Sequence, residues 1–155
     1  MDDIDLKALR LLARSGRMTW AELAQHLGLS APSSAERVRR LEEAGVVKRY
    51  GAVLDREALG YGFAAMVGVD LSHPRHRAKF LEIVAKAPEI LECHHVTGDH
   101  DYVLKVACRN AADLDRLIND VLKQGTAVAR TRTMIVLSTA NDELFAPLTP
   151  VNRPD

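Results

Sequence analysis

Apolar residues at Ile4, Ala8, Leu11 and Leu12 recur at helical spacing, and the helix they predict closes at Gly16. Thr19-Trp20-Ala21-Glu22 then forms a capping box, in which the threonine hydroxyl covers an orphan amide and the glutamate reaches back to the cap. Trp20, Leu23, Ala24 and Leu27 share one face of a second helix, which Gly28 ends. Ser30 suits the N-cap of a third helix, with Pro32 tolerated in its first turn and Ala35, Val38 and Leu41 as its buried stripe up to Gly45. Two short amphipathic helices joined only by Gly28-Leu29-Ser30 meet the requirement for a helix-turn-helix. Val46 to Leu54 alternates around Gly51 and predicts a strand pair or wing, and Asp55 to Gly62 reads as a linker.

Beyond the linker the period changes. Phe63, Ala65, Val67, Val69 and Leu71 line one face of a strand; Phe80, Ile83, Val84 and Ala87 mark a helix; strands follow at about Ile90–Thr97 and Tyr102–Cys108. Leu114, Leu117, Ile118 and Val121 mark another helix, and Val128–Ser138 a last strand. The order β-α-β-β-α-β predicts a ferredoxin-like sandwich of one antiparallel sheet with both helices on one face. The chain is therefore α+β: a winged helix-turn-helix over residues 1–54, a linker over 55–62, a ferredoxin-like domain over 63–140 and a tail over 141–155. Thr131, Thr133, Ile135 and Leu137 share one side of the last strand, so a homodimer burying the sheet's uncovered face is expected.

Composition narrows the class. Of 155 residues, 47% are apolar and 27% charged, which argues for a folded globular chain. Lys plus Arg equals Asp plus Glu at 21 each, so net charge indicates no partner; residues 1–56 carry ten basic against eight acidic side chains, a slight lean toward nucleic acid. Cys93 and Cys108 make no disulfide framework and suggest a reducing interior. The start, Met-Asp-Asp-Ile-Asp, is acidic where a secretory signal is basic, and the longest apolar run, Phe63 to Val69, is too short to span a bilayer. A cytoplasmic protein without a membrane partner is the expectation.

The third helix carries the first candidate chemistry. Its buried stripe leaves Ser33, Ser34, Glu36, Arg37, Arg40 and Glu43 facing outward. Ser33 and Ser34 occupy the first turn, where helix amides and short hydroxyls meet a phosphate or base edge, and Arg37 reaches the same groove one turn on. Arg39 and Arg40 sit nearer the DNA backbone, and Lys48 and Arg49 put positive charge on the wing. The plainer alternative is a solvated basic helix face, but the capped helix-turn-helix around it favours double-stranded DNA. Trp20 reads as a helix-packing residue.

Gly98-Asp99-His100-Asp101-Tyr102 carries the second. Gly98 permits a tight bend whose amides can hold a carboxylate, and Asp99 and Asp101 can hold an ammonium, so the turn suits both ends of an α-amino acid. Aspartates that merely satisfy turn amides are the commoner use. Cys93, His94, His95, His100 and Asp101 also invite a metal reading, but Cys93 and His95 share one strand face with His94 on the other, and neither Cys-x-x-Cys nor His-x-x-x-His is present. Packed strand residues account for them better, and nothing supplies the oxyanion site or orienting group of a Cys/His nucleophile. No metal, cofactor or enzyme activity is expected.

Several segments together resemble the Lrp/AsnC, or feast/famine, family of transcription regulators: Asp5-Leu6-Lys7-Ala8-Leu9-Arg10-Leu11-Leu12, Gly16-Arg17, Glu22-Leu23-Ala24, Leu27-Gly28-Leu29-Ser30, the run Arg37 to Val47, and Tyr50 to Asp55. Val96-Thr97-Gly98-Asp99-His100-Asp101-Tyr102 stands where that family has its glycine-aspartate turn, and the likeness covers about Asp2 to Leu148. The resemblance implies dimers through the C-terminal sheets, often assembled into octamers, with an amino-acid effector bound between dimers near that turn. A DNA-compacting architectural protein that ignores small molecules, and a metal-sensing regulator using Cys93 to Asp101, are the competing readings.

Overall fold

Asp2 opens the chain's first helix by a reciprocal exchange: its carboxylate accepts the Asp5 amide at 2.8 Å, and the Asp5 carboxylate accepts the Asp2 amide at 2.9 Å. The computed structural model describes residues 1–125 and 127–140, so the tail assigned to residues 141–155 lies outside the described residues. The chain divides into two units, residues 1–53 and a second beginning at Leu54.

The first unit holds α1 (Asp3–Arg14), α2 (Trp20–Leu27) and α3 (Ala31–Glu43). The Thr19–Glu22 capping box forms as the sequence predicts. Gly28 ends α2 at φ 70°, a left-handed conformation that glycine adopts without a Cβ penalty, and Ser30 caps α3 at once. Ala8, Leu12, Leu23, Leu27 and Val38 form the core, with Val38 fully enclosed. Two expectations fail here. Residues 46–54 form no strand: Val46, Tyr50, Val53 and Leu54 are exposed, and among the described residues no second edge pairs their backbone, without which alternation alone cannot hold a ladder. Trp20, at the first position of α2, stands 45% exposed instead of packing inward.

The second unit begins with a capped turn in which the Asp55 carboxylate accepts the Ala58 amide at 3.0 Å. It continues with β1 (Phe63–Leu71), α4 (Arg77–Lys86), β2 (Ile90–His95), β3 (Tyr102–Cys108), α5 (Ala111–Arg116) and β4 (Val128–Ile135). All pairings are antiparallel, in the order β2-β3-β1-β4, as the βαββαβ reading requires. After α5 the helix widens into a π turn over Leu117–Leu122. Leu117 and Leu122, five apart, are both fully buried, and the wider turn is what puts both on the core side. Ala65, Val67 and Val69 of β1, Leu104 and Val106 of β3, and Phe80 of α4 make the centre of the core, all fully enclosed.

Sheet register corrects the expected dimer surface. Thr131, Thr133 and Ile135 pair with Val69, Val67 and Ala65, so they lie at the edge of the helix-covered face, and Leu137 follows the end of β4. The other face carries Met66, Gly68 and Asp70 of β1, Val103 and Lys105 of β3, and Arg130, Arg132 and Met134 of β4. The period-two pattern on β4 was sound, but which side faces the helices is fixed by its pairing with β1.

Candidate DNA interface and effector turn

The first turn of α3 is held by Ser30, whose hydroxyl accepts the Ser33 amide at 3.3 Å and donates to the Ser33 hydroxyl at 2.9 Å. That leaves the Ser33 hydroxyl exposed and able to donate outward. Ser34 does the opposite of what the sequence suggested. It is fully buried, its Oγ has no partner among the described residues, and it sits one turn before Val38 on the inward side. Three of the basic side chains are available in the sense required. Arg40, Lys48 and Arg49 are exposed and form no ion pair among the described residues. Arg39 is exposed but lies between Glu36, at 2.8 Å, and Glu43, surface pairs weak enough to exchange for a phosphate. Arg37 is held by Asp2 and Asp5.

Between β2 and β3, the Val96 amide donates to the Asp101 carbonyl at 3.1 Å and closes the turn. Gly98 adopts φ 118°, which only glycine takes readily. Asp101 ties the turn to β1 twice: its amide donates to the Val69 carbonyl at 3.1 Å, and its Oδ2 accepts the Leu71 amide at 2.8 Å. One of the oxygens expected to hold an ammonium is therefore committed to backbone. Asp99 is exposed, and among the described residues its carboxylate and the amides of Gly98, Asp99 and His100 make no hydrogen bond. His100 turns onto the open sheet face, where Nδ1 meets Asp70 Oδ1 at 2.9 Å; Arg130 Nε donates to the other Asp70 oxygen at 2.7 Å. These two partners, His100 first, hold the Asp70 carboxyl below its usual range. Tyr102 points the other way. It is 3% exposed, packed between Phe80 and His95 at ring distances of 4.8 and 5.0 Å, and its hydroxyl lacks a partner among the described residues.

Residues 1–48 match the family model of a winged helix-turn-helix DNA-binding domain, and residues 64–144 match that of the Lrp/AsnC ligand binding domain. The chain belongs to the Lrp/AsnC family. It is 34% identical over 148 residues to the HTH-type transcriptional regulator FL11 of Pyrococcus horikoshii, covering 96% of this chain and 97% of the relative. It is 37% identical over 150 residues to the Bkd operon transcriptional regulator of Pseudomonas aeruginosa, covering 96% and 98%. The crystal structure of a transcriptional regulator from Neisseria meningitidis in complex with L-Met superposes with a TM-score of 0.89 at 29% identity, over 98% of this chain and 97% of that one.

This Lrp/AsnC protein is thus a DNA-binding transcriptional regulator with a ligand-binding domain. The family is not an enzyme class. No helix among the described residues is long and apolar enough to cross a membrane. The Cys93–Asp101 stretch is dispersed by the fold: Cys93 is half-buried against the core, His94 pairs with Glu92 at 2.9 Å, His95 stacks on Tyr102 and His100 belongs to Asp70. Burial pushes the Cys93 and Cys108 thiols up. Among the described residues, no group of three metal-ligating side chains converges. Two features of the Lrp/AsnC regulator escaped the sequence reading. The Asp2–Asp5 spacing is itself a capping-box signal, and Gly68 inside a strand signals a close approach.

Proposed function

We propose that this regulator reads duplex DNA with Ser33 and Arg40, anchors on phosphates through Arg39, Lys48 and Arg49, and responds to a free amino acid held at the Gly98–Asp101 turn. The observation that carries the effector reading is the pairing of amides at Gly98, Asp99 and His100, unbonded among the described residues, with the exposed carboxylate of Asp99. Amides attract the ligand's carboxylate and Asp99 attracts its ammonium, so one turn meets both charges of a zwitterion. L-Met in the Neisseria meningitidis complex supports an amino acid as the class of ligand. Within the turn, Asp101 is the brace and Tyr102 belongs to the core, so neither is the ligand's first contact. Dimers through the open sheet face, with Met66, Val103 and Met134 as its apolar part, and octamers built from them complete the proposal.

A thermal-shift screen across the twenty amino acids tests it, since a ligand at one hundred times its dissociation constant adds about 2.7 kcal/mol to stability; calorimetric titration then measures the affinity of each one that shifts the transition. Asp99→Asn keeps the turn's shape and removes the charge, so it should abolish binding of whichever amino acid the wild type takes. Unchanged affinity in Asp99→Asn would place the ammonium site elsewhere.

A further inference from the structure

Arg37 lies on α3, the helix proposed above to enter the DNA groove as the recognition helix, yet its guanidinium turns to the start of the chain. One nitrogen, Nη1, donates to Asp2 Oδ2 at 2.7 Å and to Asp5 Oδ1 at 2.8 Å, across separations of 35 and 32 residues. The same two carboxylates hold each other's backbone amides, so the cap of α1 and the ion pair are one construction. Its Arg37–Asp5 half is sheltered: those side chains are 23% and 15% exposed, with Asp2 at 53% on the open side, whereas Arg39 and both its partners are all above half exposed. The Asp5 amide and then the guanidinium hold the Asp2 carboxyl below its usual range, and the two carboxylates raise Arg37. To enter a DNA groove, Arg37 must leave both partners and strand Asp5 in a poorly hydrated place, which costs more than breaking an exposed pair. Arg40, exposed and without an ion pair among the described residues, faces no such cost.

We infer that Arg37 is the positioning residue of the recognition helix: it fixes α3 to the N-terminus of α1 and acts on DNA through Asp2 and Asp5, without reading a base. This rests on the DNA-binding reading above. It has a consequence of unusual sign. Removing a negative charge near a polyanion ordinarily tightens binding, but neutralising Asp5 should here loosen sequence-specific binding, because α3 loses its brace.

The test uses the full chain and a duplex selected from random sequence by the wild-type protein, with a scrambled duplex as the non-specific reference. Arg37→Met, Asp5→Asn and the double variant are compared by anisotropy, each first shown to be folded by its thermal transition. Asn at position 5 still accepts the Asp2 amide, so the cap survives while the sheltered Arg37–Asp5 pair is lost and only the more exposed Arg37–Asp2 pair remains. Each single variant should reduce the ratio of specific to non-specific affinity by roughly tenfold, about 1.4 kcal/mol, and the double variant no further. Base substitutions across the selected duplex should give the same profile for Arg37→Met as for wild type, and Arg37→Lys should recover part of the ratio. Loss of discrimination at a single base pair in Arg37→Met, with the ratio in Asp5→Asn unchanged or raised, would overturn the inference in favour of base reading. If the wild type enriches no duplex, the sequence-specific reading fails and this inference fails with it.

Discussion

The ring of His100 occupies the place where a side chain at Gly68 would stand: a Cβ built there comes within 2.5 Å of Nε2 and 2.8 Å of Cγ. The contact lets the turn after β2 fold back over β1 and deliver Nδ1 to Asp70, with the imidazole only 15% exposed. Gly68→Ala must therefore push the ring off Asp70 or spread the sheet, and should cost about 1–3 kcal/mol. Urea unfolding measures this, and adding His100→Ala to Gly68→Ala should recover most of the loss. A single variant as stable as wild type would mean that the ring leaves Gly68 freely.

Asp70 makes a prediction about acid. His100 and Arg130 lower its carboxyl from the usual value of 3.8, so near that pH the folded chain binds fewer protons than the unfolded one. Its stabilisation is complete above the usual value and disappears as pH falls through the lowered one. Between about pH 5 and pH 2, stability of the wild type should fall more steeply than that of Asp70→Asn. Parallel curves, measured by denaturant unfolding at each pH, would remove Asp70 from the acid response.

Tyr102 buries a hydroxyl without a partner among the described residues. Tyr102→Phe removes the unmet polar atom and keeps the ring between Phe80 and His95, so stability should equal or exceed that of wild type. Amino-acid affinity should not change. A large loss of affinity in a well-folded Tyr102→Phe would show the hydroxyl reaching the ligand after all.

The neighbouring serines of α3 should separate cleanly. Ser34→Ala deletes a buried oxygen without a partner among the described residues and should leave DNA affinity unaltered, with stability unchanged or raised. Ser33→Ala deletes an exposed donor in the helix's first turn and should weaken binding to a selected duplex by about 1 kcal/mol. Anisotropy on both variants decides which serine faces DNA, and the reverse order would mean that the helix is rotated on the duplex.

Local chemistry was legible in the chain because it acts over three or four residues. The Thr19–Glu22 box, the glycine stop at Gly28, the Ser30 cap and the change from helical to alternating period each form as written, and together they specify two folding units and their order. Gly98 likewise announced a turn. What the pattern could not supply is the identity of the neighbour. Ser33 and Ser34 are equally polar in sequence, and only the packing around Val38 turns one inward. Alternation on β4 names two faces, and only its pairing with β1 says which is covered. Alternation over Val46–Leu54 promised a ladder, but a strand needs a partner edge that no local signal provides. The charges show the same division: Arg37 and Arg40 look alike along the helix, and their fates diverge because a carboxylate pair more than thirty residues away meets one of them. Periodicity and caps are short-range and so are written in order along the chain; ion pairs, ring contacts and sheet faces depend on distances that exist only after the chain has folded.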